Sequence, residues 1–151
     1  MARTILQQPS RPPARSAPDP SAELLASAQA ALDRAAEQSS PAVRYELAYL
    51  AALRSAAAVL ARRARPRSLR TRPRGIWRLL ARAAPELGEW AEFFALVAVG
   101  RDAPAGGRAP VTDRQADDLL RDSALFTGLA RGCLAHRDGR GSTAGPAGGP
   151  A

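Results

Sequence analysis

The chain has no lysine and no asparagine, a single cysteine, a single histidine and few aromatic residues. Each shortage excludes something. With Cys133 as the sole thiol, an intrachain disulfide and a cysteine-based zinc site are both ruled out, and the composition suits a reducing cytosol. The N-terminal MARTILQQPSRPPARS has no apolar run of signal-peptide length. The longest apolar stretch, Phe93 to Gly100, is too short to span a bilayer, so a cytoplasmic protein with no membrane partner is expected. No segment alternates in the manner of a strand, so P-loop and dinucleotide-binding fingerprints, which need a strand before their glycines, do not apply. Neither a metal nor a cofactor is expected.

What is present in excess is arginine and alanine. The formal net charge is +8 and all 22 basic residues are arginine. A GC-rich genome favours Arg, Ala, Gly and Pro codons over Lys and Asn, so the total says less about an anionic partner than the clustering does. The hydrophobic fraction is 46%, but 35 of those residues are alanine, so helices can approach closely while each contact buries little apolar area. Stability is therefore expected to lean on a partner chain.

The 151 residues suit one domain with one core. Residues 1–20 carry five prolines and three arginines, and the segment after His136, RDGRGSTAGPAGGPA, is equally poor in core-forming residues, so both are expected to be disordered tails. Residues 21–136 are expected to form an all-α, up-and-down bundle of four to five helices.

The first helix is expected to start with Ser21 as N-cap and to bury Leu24, Leu25, Ala28, Leu32 and Ala35. Ser40-Pro41 is a start signal for the second, whose stripe is Tyr49, Leu50, Leu53, Ala56, Ala57 and Leu60. After the loop RPRSLRTRPRG a third helix should restart near Arg74 with Ile76, Trp77, Leu80 and Ala84 inward, ending before Pro85. The next sets Leu87, Trp90, Phe94 and Val97 inward, with Glu89 and Glu92 as its solvated edge, and reads as the central core helix. Thr112-Asp113-Arg114-Gln115 fits a capping box. The last helix then carries the stripe Ala116, Leu119, Leu120, Ser123, Phe126, Ala130, Cys133 and Leu134, and places Asp117 and Arg121 at pairing distance.

The segments RYELAYLAALRSAAAVLARRARP, IWRLLARAAPELGEWAEFF and VTDRQADDLLRDSALF, with Trp77, Pro85-Glu86-Leu87-Gly88-Glu89-Trp90 and Asp117-Asp118-Leu119-Leu120 as landmarks, resemble a small actinobacterial branch of the HEPN superfamily, the SAV-like HEPN domains. The resemblance covers roughly residues 21–135. It implies a helical bundle that commonly dimerises. It also implies one of several roles, since many HEPN domains are metal-independent RNA endonucleases and others only bind RNA, nucleotides or a protein.

Two groups of residues could carry function. The resemblance points to an arginine followed, after four to six residues, by a histidine, and Arg131 and His136 have that spacing. Arginine would stabilise charge on a phosphorus-centred transition state while histidine moves protons, with the RNA 2′-hydroxyl as nucleophile. Five residues along a helix turn through roughly 140°, so the two diverge unless two protomers combine their ends. Gly132 stands where catalytic versions place a polar residue. The simpler reading makes Arg131 a solvated side chain and His136 a C-terminal helix residue favoured by the dipole.

The second group is Arg62, Arg63, Arg65, Arg67, Arg70, Arg72, Arg74, Arg78 and Arg82, with no acidic residue among them. RNA phosphates would satisfy such guanidinium groups, and only Trp77 is interleaved as an aromatic, which argues against reading of bases. Alternatively these arginines are solvated or paired with carboxylates, as Arg82 could be with Glu86. Cys133 reads as a small buried hydrophobe. Tyr45 and Tyr49, with Arg44, could line a pocket or pack at the core. The expected function is a non-catalytic RNA- or nucleotide-associated binding module acting as a homodimer or with a partner protein. A composite-site RNA endonuclease and a pure protein-interaction module are the alternatives.

Overall fold

Proline and side-chain caps set the helix boundaries along this chain. The structure, a computed structural model, describes residues 17–63, 73–104 and 106–138. These residues form α1 (Pro20–Ala36), α2 (Pro41–Arg63), α3 (Pro73–Ala83), a 3-10 turn (Pro85–Leu87), α4 (Gly88–Arg101) and α5 (Asp113–Asp138). No strand occurs among the described residues, and the fold is all-α.

The N-cap of α1 is Asp19 rather than the expected Ser21. Its carboxylate accepts from the Ser21 backbone N–H at 3.0 Å and from the Ser21 hydroxyl at 2.7 Å, which frees Pro20 to occupy the first turn, where its missing N–H costs nothing. The Ser21 hydrogen bonds, ahead of the nearby Arg62 charge, hold the Asp19 carboxyl below its usual value. At α2 the expected start is present, with the Val43 N–H 3.5 Å from Ser40 Oγ. Pro85 ends α3 as expected, and the Thr112–Gln115 box forms: the Gln115 N–H donates to Thr112 Oγ1 at 3.2 Å and the Thr112 N–H to Gln115 Oε1 at 3.0 Å.

The four longer helices alternate in direction. Helices α1 and α2 are antiparallel, since Asp19 meets Arg62 at one end and the Gln38 carbonyl accepts from Arg44 at the other. Helix α5 runs with α2: Arg44 pairs with Asp113 and Asp117 near both N-termini, and Ser55 meets Thr127 further along. Helix α4 returns against both, with Arg101 pairing with Glu46 and Trp90 packing on Phe126. The short α3 lies beside α2 and brings Trp77 onto Tyr49.

The helix at the centre is α2, not α4. Helix α2 packs against α1, α3 and α5, and buries Ala48, Ala51, Ala52, Ser55, Ala56, Ala58 and Val59 besides Tyr49 and Leu60. Alanine on several sides lets three neighbours approach one helix, which compensates for the small area of each contact. The spacing of Leu87, Trp90, Phe94 and Val97 points to α4 as the centre, yet α4 buries only Ala91, Phe94 and Ala98. It contributes its ring to an aromatic cluster in which Trp77 stacks on Phe94 at 4.9 Å and Phe126 closes the third side. Aromatic pairs of this kind add roughly 0.5–1.5 kcal/mol each beyond their area. The Trp77 indole N–H donates to Tyr49 Oη at 3.1 Å, so the buried polar atoms of both rings are satisfied.

Where α2 meets α5 the core holds three hydroxyls. Ser55 Oγ and Thr127 Oγ1 are 2.8 Å apart, and the carbonyls of Ala51 and Ser123 lie 3.0 and 2.8 Å from them on their own helices; with one proton each, one hydroxyl donates to the other while the second donates to its own helix. Ser123 Oγ, one turn before Thr127, is buried without a hydrogen-bond partner among the described residues.

Candidate functional site

The helical stripe of α3 that buries Trp77 and Leu80 turns Arg78 and Arg82 outward, one helical turn apart. Both are exposed, and neither has an ion-pair or hydrogen-bond partner among the described residues. The acid expected to meet Arg82, Glu86, is instead engaged by Arg63. Arg62 pairs with Asp19 at 2.7 Å. Arg74 lies in the first turn of α3. Arg65, Arg67, Arg70 and Arg72 lie outside the described residues.

At the end of α2 a cleft of about 800 Å³ opens between the 3-10 turn and α5, lined by Arg63, Glu86, Leu129, Cys133 and His136 among others. The Arg63 side chain is 10% exposed and pairs with the Glu86 carboxylate, while its Nε is buried without a hydrogen bond among the described residues. The Cys133 thiol lies 3.9 Å from Glu86 Oε1 and is half-buried at the cleft wall rather than packed in the core. Burial pushes its pKa up, and the Arg63 charge only partly offsets this, so the thiol is the resting form. No group of ligands able to hold a metal occurs among the described residues.

The arginine and histidine of the last helix are not brought together. His136 faces the cleft, with Nδ1 2.8 Å from the Gly132 carbonyl; a carbonyl only accepts, so the proton sits on Nδ1 and Nε2 is left toward solvent. Arg131 faces α1, where its Nη2 lies 3.5 Å from Gln29 Oε1. One chain alone therefore presents a histidine without that arginine beside it.

Of Arg44, Tyr45 and Tyr49, it is Tyr49 that lines a pocket, one of about 450 Å³ shared with Val43, Glu46, Leu50 and Arg101. Tyr49 is buried, with the Arg101 guanidinium 4.1 Å above its ring, and Arg108 lies 6.0 Å from Tyr45. Burial raises the Tyr45 pKa. Arg44 is spent on structure: it donates to the Gln38 carbonyl and to Asp117 at 2.6 Å. Asp117 is thus taken by α2 rather than by Arg121, which bonds Asp118 instead.

The profile of the SAV_6107-like HEPN family matches residues 35–131, well over half of the chain. The chain belongs to that HEPN family. No match was found among curated proteins or among solved structures. The HEPN match takes in α2, α3, α4 and most of α5, so the arginine-bearing α3 is part of the domain proper. It ends at Arg131, leaving His136 outside the matched span. The sequence had not indicated the Arg63–Glu86–Cys133 grouping, because its members are separated by 23 and 47 positions and carry no motif spacing.

Proposed function

We propose that this HEPN domain is a non-catalytic module that binds RNA, or a nucleotide-bearing partner, through phosphate contacts. The observation that carries it is the pair Arg78 and Arg82, exposed on one side of α3 without an acidic partner among the described residues. Guanidinium groups held this way gain more from a phosphate than from water. Trp77, the one aromatic interleaved with these arginines, is 1% exposed and offers no stacking surface, so the contacts read backbone rather than bases.

The test is the salt dependence of RNA affinity. Replacing Arg78 and Arg82 together by Ala is expected to lower the slope of log K against log salt by roughly 1.4, at about 0.7 per single-strand phosphate contact. Replacement of Arg67, Arg70 and Arg72 should lower it further. Affinity that ignores salt, or is unchanged in both variants, rejects the reading. The nuclease alternative needs Arg131 and His136 from different chains; metal-independent cleavage lost in both Arg131→Ala and His136→Ala would overturn the non-catalytic part. The dimer implied by the family resemblance is carried by no contact described here, and it is the rival outcome of the docking experiment below.

A further inference from the structure

Helix α4 is strongly apolar for a helix at the surface, interrupted only by Glu89 and Glu92 before its terminal Arg101, and a helix of that kind belongs inside a protein or against a partner. Its inward turn is covered, but Phe93, Leu96 and Val99 are exposed, Leu96 to 73%. Leu125 and Leu129 of α5 are exposed as well. The two helices share a surface: Glu89, Trp90 and Phe93 of α4 line a hollow with Asp122 of α5, Leu125 follows one turn along, and Leu129 lies a turn beyond in the cleft with Glu86. Beside Leu129, a Cβ on Gly128 or Gly132 would meet no atom of another element within 4 Å among the described residues, which leaves notches one turn apart.

Acidic residues are interspersed on this surface. Glu89, Glu92 and Asp122 make no ion pair among the described residues, in a chain whose net charge is +8. The hollow between Glu89 and Asp122 has Trp90 and Phe93 as walls, 6.2 Å apart and nearly perpendicular, and carboxylates beside aromatic faces favour a guanidinium or ammonium group.

We propose that the α4–α5 face docks an amphipathic helix of a protein partner, one whose leucine-like ridge is edged by arginine or lysine. The ridge covers Phe93, Leu96, Leu125 and Leu129, and a basic side chain enters the hollow between Glu89 and Asp122. A second copy of this chain is the poorer occupant, because the same face set against itself brings the carboxylates of both copies into one seam. RNA is repelled by the same groups.

The experiment uses the full chain and two synthetic helical peptides with the same leucine ridge, one edged by arginine and one by glutamate. Binding is followed by calorimetry and by the emission of half-buried Trp90. The arginine-edged peptide is expected to bind about tenfold more tightly, the sum of several exposed ion pairs. Glu89→Arg with Asp122→Arg should reverse that preference, and Leu125→Ala with Leu129→Ala should weaken binding about tenfold. Circular dichroism confirms that these surface variants fold. Three results overturn the proposal: equal or absent binding of the two peptides, binding indifferent to Leu125 and Leu129, or sedimentation showing a wild-type dimer that the leucine variants dissociate.

Discussion

Helices α3 and α4 are joined by one proline turn and do the same thing on their inner sides, each giving one ring to the aromatic cluster, Trp77 and Phe94 at 4.9 Å. On their outer sides they differ completely. Helix α3 shows Arg78 and Arg82, while α4 shows Phe93, Leu96 and Val99 along with Glu89 and Glu92. A shared interior therefore supports two exteriors of opposite chemistry, and a phosphate partner and a basic apolar partner need not compete. Inner and outer positions on these two helices should accordingly separate in their effects.

The largest effect is expected from breaking what the helices share. Trp77→Ala and Phe94→Ala each remove a fully buried ring and should cost about 3–5 kcal/mol of unfolding free energy in denaturant titration. Near-equal losses would show one joint cluster. A milder change, Trp77→Phe, keeps an aromatic ring but removes the indole N–H that donates to Tyr49 Oη, and about 1–3 kcal/mol should be lost. At the outer positions, Arg78→Ala and Leu96→Ala should each stay within about 0.5 kcal/mol of the parent. They should differ in binding instead, the first weakening RNA retention and the second leaving it unchanged. A stability loss at Leu96 comparable to that at Phe94 would erase the distinction between the two sides of α4.

Most helix ends were legible in the sequence because capping is local. Pro41, Pro85 and the Thr112–Gln115 box act within a few residues of themselves, and the structure uses all three. The same locality misled at Asp19, where Ser21 looked like the cap until Pro20 was placed inside the first turn. Centrality was not legible. Helix α4 has the more apolar sequence, but apolarity does not say how many neighbours a helix acquires, and the alanines of α2 conceal three. Ion pairs were misjudged for a related reason. Periodicity suggests partners three or four residues away, whereas Asp117 is taken by Arg44 and Glu86 by Arg63, both distant in the chain. Of the candidate site, the outward direction of Arg78 and Arg82 followed from the Trp77 and Leu80 stripe, but the cleft around Cys133 depends on three separate elements meeting.

The hydroxyls between α2 and α5 bear on a problem peculiar to alanine-rich seams. Methyl groups are nearly uniform along a helix, so one such surface can slip past another by a turn of 5.4 Å and still find methyl contacts. The Ser55–Thr127 bond is lost in such a slip, although each hydroxyl keeps a carbonyl of its own helix, so the contact favours one register by the worth of a single buried hydrogen bond, about 0.5–1.5 kcal/mol. It biases the register: alanine supplies the closeness, and one pair of hydroxyls favours one set of residues opposite one another, and with them the level at which the cleft of Arg63 and His136 is assembled.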